Sequence, residues 1–443
     1  MKVLLVNPWI YDFAAFDLWV KPLGLLYIAD ALRKLGCEVQ LIDCLDRNYP
    51  GLIPKGSIRT EIKNEQWGCG KYHKEEAEKP ETLKHIPRKY KRYGIPVPLF
   101  EEELKDKNPD VILISSGMTY WYPGVFKVIE ILKKRLPGIP MLLGGIYATL
   151  CAEHAKKYSG AEVFAGGDIG KAIKESFRLK GEKINQEICD IKSLRPAYDL
   201  YNKPEYAAIR TSWGCPLRCS YCAIRLLSRR FEQRDCTDVL SEIEFFNEKQ
   251  GIKNFAFYDD ALLFNAEKHI VKILEGIIKR KTNCYFHTPN GIHARYMTDK
   301  TACLMRQANF VQPRLSLETT NEKRQKATGA KVTNKEFIAA VKNLQKAGYK
   351  PDEIYAYILM GMPGQDFKEV EESIKFASNF GTKVFLVEYS PIPGTRDWRE
   401  HKFDFKDPLL HNNSIFPLHD VKDWDKFQKL KDFARELNAK VST

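Results

Sequence analysis

Residues 213–222 read WGCPLRCSYC and place Cys215, Cys219 and Cys222 in the spacing C-x3-C-x2-C. A structural zinc site requires four ligands, and no fourth cysteine or histidine follows at the spacing of a zinc finger. Three neighbouring thiolates instead fit an iron–sulfur cluster in which one iron is left for a ligand that is not a protein side chain. The spacing therefore indicates a cluster with an open coordination position.

The cysteine motif directly follows an apolar segment that we interpret as the first strand of a second domain. From there, strand patterns and amphipathic helix patterns alternate, which is typical of a (βα)6 partial TIM barrel. Active sites of such barrels form at the carboxyl ends of the strands, where the cysteines lie. The predicted strands are 206–211, 253–258, 284–288, 312–317, 354–360 and 383–389, and the predicted helices are 237–250, 266–280, 298–308, 334–348 and 367–380. Thr333 and Asn334 form the expected cap at the start of the helix 334–348.

The first part of the chain alternates in the same way. The continuous apolar run Val111–Ile114 is typical of a strand buried on both faces of a parallel sheet. The pattern predicts a Rossmann-like, doubly wound α/β domain, which receives ligands at the carboxyl ends of its strands. The predicted strands are 2–7, 37–43, 110–117, 140–145 and 161–167, and the predicted helices are 22–36, 123–136 and 168–178.

These patterns divide the chain into four segments. Residues 1–178 form the Rossmann-like domain, in which 45–108 is an insertion without periodicity that we interpret as a lid. Residues 179–204 form a polar linker, and residues 205–400 form the partial barrel. Residues 401–443 are a C-terminal extension whose amphipathic helix is predicted to pack against the barrel.

Composition is that of a globular protein, with 44% apolar and 29% charged residues in 443. No apolar run is long enough to span a membrane, and the apolar start is too short for a signal peptide. Because the 11 cysteines are mostly scattered singly, we expect reduced thiols and a cytoplasmic location. The net charge of +13 makes a polyanionic partner worth considering. We interpret the basic run 84–94 as a solvated loop, with a phosphate- or acid-binding loop as the alternative.

The cysteine loop, with Tyr221 before its last cysteine and a partial barrel around it, resembles the radical S-adenosylmethionine (SAM) superfamily. The N-terminal half is similar to the cobalamin-binding domain that is fused to one branch of that superfamily. The segments PLGLLYIADALRKLG (22–36), MLLGGIYAT (141–149) and YSPIPGT (389–395) also resemble that branch. The resemblance covers nearly the whole chain. It implies that the three cysteines hold a [4Fe-4S] cluster whose fourth iron binds SAM, and that reductive cleavage of SAM yields a 5'-deoxyadenosyl radical.

The resemblance also implies SAM contacts at the strand ends. The carboxylates that end FYDD (257–260) stand where relatives contact the SAM amino group, LSLE (315–318) lies near the ribose or the amino acid end, and GMPGQ (361–365) exposes backbone to the adenine. A solvated acidic pair, a salt bridge to a lysine and an ordinary turn are the respective alternatives. The expected SAM contacts are Tyr221, Asp259, Asp260, Ser316, Glu318, Gly361, Pro363 and Gly364.

Three polar residues after the third barrel strand, His287, Asn290 and His293, are candidates for substrate contact, but the sequence assigns no catalytic side chain. In the first domain, the histidine motif D-x-H-x-x-G of many cobalamin proteins is absent after the first strand. Many radical SAM relatives also lack it. The alternative is a domain whose glycines only form turns. The expected cobalamin contacts are the strand-end residues Ser115, Ser116, Gly117, Gly144, Gly145, Gly166 and Gly167.

The leading hypothesis is a cobalamin-dependent radical SAM methyltransferase that acts on an unactivated centre. The alternative is a cobalamin-independent radical SAM enzyme that forms carbon–carbon bonds, cyclises or rearranges its substrate. Methylthiolation of tRNA would require a second three-cysteine cluster, and an electron carrier more often uses four cysteines. We expect an unidentified small-molecule or peptide substrate, a flavodoxin- or ferredoxin-like reductant, no nucleic acid partner and an enzyme that requires anaerobic handling.

Overall fold

The computed structural model of the chain forms two compact units. The first comprises Met1–Ala207 and Phe405–Asn412, and the second comprises Ala208–Asp404 and Asn413–Thr443. The residues that the structure describes are 1–52, 66–184, 186–228, 230–418 and 424–441. Parts of the predicted lid, linker and C-terminal extension, namely 53–65, 185, 419–423 and 442–443, lie outside the described residues, as does residue 229. Among the described residues, no helix has the length and apolarity needed to cross a bilayer.

A five-stranded parallel sheet forms the centre of the first unit, as predicted. Its strands are β1 (Lys2–Asn7), β2 (Glu38–Asp43), β3 (Val111–Ile114), β4 (Met141–Leu143) and β5 (Glu162–Val163), and the unit's α-helices are α1 (Leu23–Lys34), α2 (Val97–Glu103), α3 (Tyr122–Arg135), α4 (Ile146–Leu150), α5 (Ala152–Tyr158) and α6 (Ile169–Lys180). The spatial order β2-β1-β3-β4-β5 is a doubly wound order. Ligands of such sheets bind outside the carboxyl ends of the strands, so the loops that follow β3, β4 and β5 are where a site is expected.

The described part of the predicted lid is packed into the first unit. Lys74–Glu76 and Lys91–Tyr93 form a small antiparallel sheet with Ile10–Asp12. Within the basic run 84–94, the guanidinium of Arg92 is buried and donates to Glu75 at 2.6 Å. The insertion therefore contains ordered structure that its lack of periodicity did not predict, and the basic run is only partly solvated.

The predicted linker also packs on the first unit. The N–H of Ala197 donates to the carbonyl of Leu26 at 3.2 Å, and the N–H of Arg195 donates to the carboxylate of Asp30 at 3.0 Å. Tyr198 is fully buried. These contacts join the described linker residues to helix α1, although their polar sequence suggested a solvated connection.

The six predicted strands of the second unit are present within two residues of their predicted ends. The short strands Ser212–Trp213 and Glu232–Gln233 were missed, as was one short strand among the seven that form the two larger sheets. The seven are β6 (Tyr206–Ile209), β7 (Asn254–Phe257), β8 (Tyr285–His287), the missed β9 (Ile292–His293), β10 (Arg314–Glu318), β11 (Tyr355–Met360) and β12 (Lys383–Glu388). They form a three-stranded sheet in the order β8-β7-β6 and a four-stranded parallel sheet in the order β9-β10-β11-β12. In the structure, the strands of the predicted partial barrel therefore pair as two sheets.

The predicted helices of the second unit are also present, and the short α7, α11 and α14 were missed. The α-helices are α7 (Ile224–Leu227), α8 (Cys236–Gln250), α9 (Ile270–Arg280), α10 (Asp299–Gln307), α11 (Glu322–Ala327), α12 (Asn334–Lys346), α13 (Phe367–Asn379), α14 (Arg396–Glu400) and α15 (Trp424–Val441). Helix α12 begins at the predicted cap, where Thr333 and Glu336 exchange side-chain to backbone hydrogen bonds.

Helix α15 packs against the second unit, as its apolar stripe predicts. The rings of Phe427 and Phe367 lie 4.9 Å apart. The side-chain amide of Asn438 accepts from the N–H of Val384 at 2.7 Å and donates to its carbonyl at 2.8 Å. Because Val384 lies on the edge strand β12, this amide replaces the missing neighbour strand at that position.

Replacing Asn438 by Ala leaves both backbone groups of Val384 without this partner. We expect Asn438→Ala to lower the free energy of unfolding by about 1–3 kcal/mol, the usual penalty for unpaired buried polar groups. Urea unfolding followed by circular dichroism measures this. The matched control is Gln428→Ala on the exposed side of the same helix, with an expected change below about 0.5 kcal/mol. Equal effects of the two substitutions would contradict the edge-capping role.

Candidate active site

The cysteine loop begins right after strand β6 and closes on itself. Ser212–Trp213 pairs antiparallel with Glu232–Gln233, which brings the two ends of the loop together. Gly214 has φ +75°, and a Cβ at this position would lie 2.4 Å from the carbonyl oxygen of Arg230. Only glycine fits such a left-handed position under another backbone.

Two later segments hold the cysteine loop from outside. The N–H of Ser220 donates to the carbonyl of Thr328 at 3.0 Å, and the carbonyl of Ser220 accepts from the N–H of Asp397 at 3.1 Å. Gly329 has φ +114°, and a Cβ there would lie 2.8 Å from the carbonyl oxygen of Arg218. The loop that carries the cysteines is thus fixed by backbone contacts to the chain after α11 and to the start of α14.

The three thiols of this loop are free; burial raises the pKa of both Cys215 and Cys222, and Cys219 raises them further. The N–H of Cys222 donates to the carbonyl of Cys219 at 3.2 Å, and no disulfide is formed. Among the described residues, no three histidine, cysteine or acidic side chains converge tightly enough for a single metal ion. A four-iron cube separates its thiolate ligands more widely than one ion does. Three free thiols within one loop fit such a cluster.

Besides burial, charges of both signs act on the thiols: the Lys331 ammonium lowers their pKa values, whereas Glu318 raises that of Cys219 and Asp260 raises that of Cys215. Burial raises the pKa of the Cys219 thiol, and the Lys331 ammonium opposes this shift. Burial likewise raises the pKa of Cys215, again against the effect of Lys331. A cluster needs thiolates, so a buried ammonium beside the thiols favours the ligating form. The sequence did not single out Lys331, because a lysine in a loop carries no signal of its own.

Glu318 is bonded by two side chains of this unit. The hydroxyl of Tyr221 donates to Glu318 Oε2 at 2.5 Å, and Lys331 Nζ lies 2.7 Å from Glu318 Oε1. Glu318 has φ +71° and follows a register shift in β10 after Ser316. The predicted residues Tyr221 and Glu318 therefore meet. Both carboxylate oxygens of Glu318 thus already have partners. Its ion pair with Lys331 is the salt bridge that the sequence offered as the alternative to a SAM contact.

The two adjacent acids after β7 differ in their surroundings. Asp259 is buried and accepts from the Thr211 hydroxyl at 2.8 Å and from the Ser212 hydroxyl at 2.5 Å. Asp260 has a buried Oδ2 without a hydrogen bond, and the nearest cation, Arg210, is 3.9 Å away. Burial raises the pKa of Asp260 to about 6. Asp259 thus joins two strand ends, whereas Asp260 has an acceptor available for a ligand.

The predicted adenine loop after β11 is held by one arginine. Arg324 donates to the carbonyl of Pro363 at 3.0 Å and to that of Gly364 at 2.8 Å. Gly361 has φ +83°, and a Cβ there would lie 2.3 Å from Pro417. The loop therefore has a fixed shape, and Arg324 is a second positioning residue that the sequence did not reveal.

Two of the predicted polar candidates lie in neighbouring strands. His293 of β9 pairs with Ser316 of β10, and both are buried. Nδ1 of His293 has no hydrogen-bond partner, and burial lowers the pKa of this histidine to about 3. Burial also lowers the pKa of His287 to about 3. Both imidazoles are therefore neutral near pH 7, which suits hydrogen bonding rather than charge pairing.

In the first unit, a mostly apolar cavity of about 170 Å³ opens at the carboxyl ends of β3, β4 and β5. No histidine is among the described residues that line it. A Cβ on Gly144 would meet nothing within 4 Å, so this glycine leaves space that a side chain would fill. Five of the predicted cobalamin residues line the cavity: Ser115, Gly144, Gly145, Gly166 and Gly167. A cradle of this kind fits an apolar part of a large cofactor such as cobalamin.

The other two predicted cobalamin residues have structural contacts. The Ser116 hydroxyl donates to the carbonyl of Gly144 at 2.6 Å and accepts from the N–H of Ala148 at 3.2 Å. A Cβ on Gly117 would lie 2.8 Å from the ring of Trp121. These two residues shape the loop after β3, and they do not line the cavity.

Comparison with known proteins matches the two units to two different families. Residues 209–377 match the radical SAM superfamily, and residues 92–171 match the B12 binding domain. The cytidylyl-2-hydroxyethylphosphonate methyltransferase of Streptomyces wedmorensis is 21% identical, over 99% of this chain and 90% of its own length. These matches include the cysteine loop of the second unit and the cavity loops of the first.

Two solved structures share the fold. The radical SAM methyltransferase TsrM from Kitasatospora setae, solved with cobalamin and a [4Fe-4S] cluster, has a TM-score of 0.64 at 15% identity, covering 90% of this chain and 77% of TsrM. The cobalamin-dependent radical SAM enzyme OxsB has a TM-score of 0.57 at 14% identity, covering 99% of this chain and 56% of OxsB. Residues 209–377 therefore match a radical SAM domain and residues 92–171 match a B12-binding domain, and the neighbours that share the fold were solved with cobalamin and either a [4Fe-4S] cluster or SAM bound.

Proposed function

We propose that this protein is a cobalamin-dependent radical SAM methyltransferase that acts on an unactivated centre. The observation that carries the proposal is the presence, on one chain, of a three-thiol loop in the second unit and a glycine-lined apolar cavity in the first. A methyltransferase that aligns with 99% of this chain supports the choice of reaction. When bound, the cluster and SAM supply one-electron radical chemistry and the cobalamin supplies a carrier for a methyl group.

In this proposal the chain's own residues hold and orient the cofactors. Cys215, Cys219 and Cys222 ligate the cluster, and the Lys331 ammonium favours their thiolate form. Asp260 offers its Oδ2, which has no hydrogen-bond partner, to the amino group of SAM.

Six further predicted SAM contacts act mainly through position. Tyr221 and Glu318 form one bonded pair beside the cysteines, and Arg324 fixes the loop of Gly361, Pro363 and Gly364 for contact with the adenine. Ser316 of β10 pairs with His293 of the neighbouring strand β9, and the ribose or the substrate would approach this pair.

The electron and the cellular setting belong to the same proposal. A radical SAM domain needs an external one-electron reductant, for which we propose a flavodoxin- or ferredoxin-like protein. Free thiols and such carriers are typical of the cytoplasm. The substrate is a small molecule or a peptide.

The reaction is tested anaerobically. The protein is reconstituted with iron and sulfide and supplied with SAM and a strong reductant, and 5'-deoxyadenosine and S-adenosylhomocysteine are quantified with and without cobalamin. We expect 5'-deoxyadenosine, together with S-adenosylhomocysteine that depends on cobalamin. The variant Cys215→Ala/Cys219→Ala/Cys222→Ala should form neither product, because no cluster can be held. Cys303→Ala, which removes a thiol outside this loop, is the matched control.

Production of 5'-deoxyadenosine that does not respond to cobalamin would contradict the methyltransferase and favour the cobalamin-independent alternative. A cavity with no histidine among its described lining residues is compatible with either hypothesis. Product formation with and without cobalamin therefore distinguishes the two enzymes directly.

A second test distinguishes the roles of the two adjacent acids, Asp259 and Asp260. Asp260→Asn should raise the Kd for SAM by roughly tenfold or more, since a hydrogen bond to a charged group is worth about 1.5–3 kcal/mol. Asp259→Asn should instead lower the free energy of unfolding by about 1–3 kcal/mol, because Thr211 and Ser212 lose their charged acceptor. Equilibrium dialysis and urea unfolding measure the two effects. An unchanged SAM Kd in Asp260→Asn would remove Asp260 from the site.

A third test concerns the cavity of the first unit. Gly144→Phe should weaken cobalamin binding by roughly tenfold or more, since overpacking a filled site costs about 1–3 kcal/mol. The fold should persist, because the added side chain points into open space. Cobalamin retained after gel filtration, measured by absorbance, gives the answer. Gly144→Ala is the control and should bind nearly normally. If Gly144→Phe also bound cobalamin normally, the cofactor would have to lie elsewhere.

A further inference from the structure

The surface around the cysteine loop is unusually basic. Residues 217–231 contain four arginines and no acidic residue. Arg218, Arg225 and Arg230 are exposed, and within the described chain none of these three forms an ion pair. Many other exposed cations of this protein are paired, as Arg280 is with Glu244 at 2.8 Å. Unpaired arginines raise the local positive potential and are available to an external partner.

These arginines are placed around the cysteines. Arg218 lies inside the motif, between Cys215 and Cys219. Arg225 follows Cys222 by three residues, which span at most about 11 Å of chain. The carbonyl of Arg230 lies directly against Gly214, which precedes Cys215. The positive surface is therefore the part of the second unit that is covalently nearest to the cluster ligands.

An apolar side chain lies within this basic segment. Leu226 is 43% exposed and is one of five large apolar side chains that remain exposed in the described chain. It belongs to the short helix α7, and a Cβ at Gly394, near the start of α14, would lie 3.1 Å from its Cδ1. Small protein interfaces commonly combine an apolar centre with a charged rim.

We infer that Arg218, Arg225, Leu226 and Arg230 form the docking surface for an acidic one-electron carrier protein. The inference rests on the proposed function, since a radical SAM domain takes its electron from outside. One electron leaves the reduced carrier and enters the cluster held by the three cysteines, so the carrier is oxidised by one electron and the cluster is reduced by one. Electron tunnelling falls steeply with distance, which favours docking beside the ligands. Complexes of this kind are small and weak, and charge complementarity guides their formation.

The test uses the cluster-loaded protein, with a purified flavodoxin and its reductase as one electron source and titanium(III) citrate as the other. The variant Arg225→Glu/Arg230→Glu reverses two charges at exposed positions. Lys335→Glu/Lys342→Glu, which reverses two exposed and unpaired lysines of α12, is the matched control. Leu226→Ser tests the apolar centre separately. The readouts are the Kd of oxidised flavodoxin at low ionic strength, the iron content, and the initial rate of 5'-deoxyadenosine formation.

The arginine variant should raise the flavodoxin Kd by roughly tenfold or more and slow the flavodoxin-driven rate, because like charges then face each other. The difference should shrink as salt screens the charges. The iron content and the titanium-driven rate should match those of the unmodified protein, and the lysine control should change the Kd by less than about twofold. Leu226→Ser should weaken binding without altering its salt dependence.

An unchanged flavodoxin Kd in the arginine variant, or no flavodoxin binding by the unmodified protein, would overturn the inference. An equal fall of both rates would also overturn it, since the arginines would then serve the substrate or the site. Failure of the proposed function has a different signature, namely no 5'-deoxyadenosine from the unmodified protein even with titanium citrate. The binding comparison remains decisive in that case.

Discussion

The chemistry of this protein depends on one backbone constraint, the tight closure of the cysteine loop after β6. The loop must present three thiols on one side and leave no protein ligand for a fourth position. Gly214 allows the chain to pass under Arg230, and Gly329 allows a later segment to lie against Cys219. The backbone of Ser220 is bonded to Thr328 and Asp397, both far along the chain. The cluster site can therefore form only when the second unit is folded, which ties its function to its stability.

Polar groups around the loop are divided between structure and function. Asp259 and Arg324 have their hydrogen bonds satisfied by the fold, so removing them would leave buried partners unpaired. Asp260 and His293 each keep a buried polar atom without a partner. Native proteins leave few such atoms unsatisfied, and those that remain commonly face ligands. This division separates residues that shape the site from residues that are available to bind.

Local pattern was sufficient to predict the main strands and helices. Continuous apolar runs located β1, β3 and β11, and the cap at Thr333 located the start of α12, since each signal lies within a few residues. The cysteine spacing is local in the same way, and it was sufficient to propose the three cluster ligands. The short helices α4, α5 and α7 were missed because one or two turns contain too few residues to show a period.

Long-range contacts could not be predicted in this way. The ion pair of Lys331 with Glu318 and the bond from Tyr221 to Glu318 join residues that only the folded chain brings together. Sequence alone also treated Asp259 and Asp260 as equivalent, because the difference lies in Thr211 and Ser212 across the sheet. The cavity of the first unit was anticipated only as a set of strand-end serines and glycines, of which Ser116 and Gly117 do not line it.

The central claim is that three cysteines hold a four-iron cluster whose fourth iron is open to SAM. Electron paramagnetic resonance of the anaerobically reduced protein, recorded with and without SAM, tests this most directly. We expect about four irons per chain and a cluster signal whose g values shift when SAM is added, because SAM binds the open iron. A cluster signal that is identical in the presence of saturating SAM would contradict the claim.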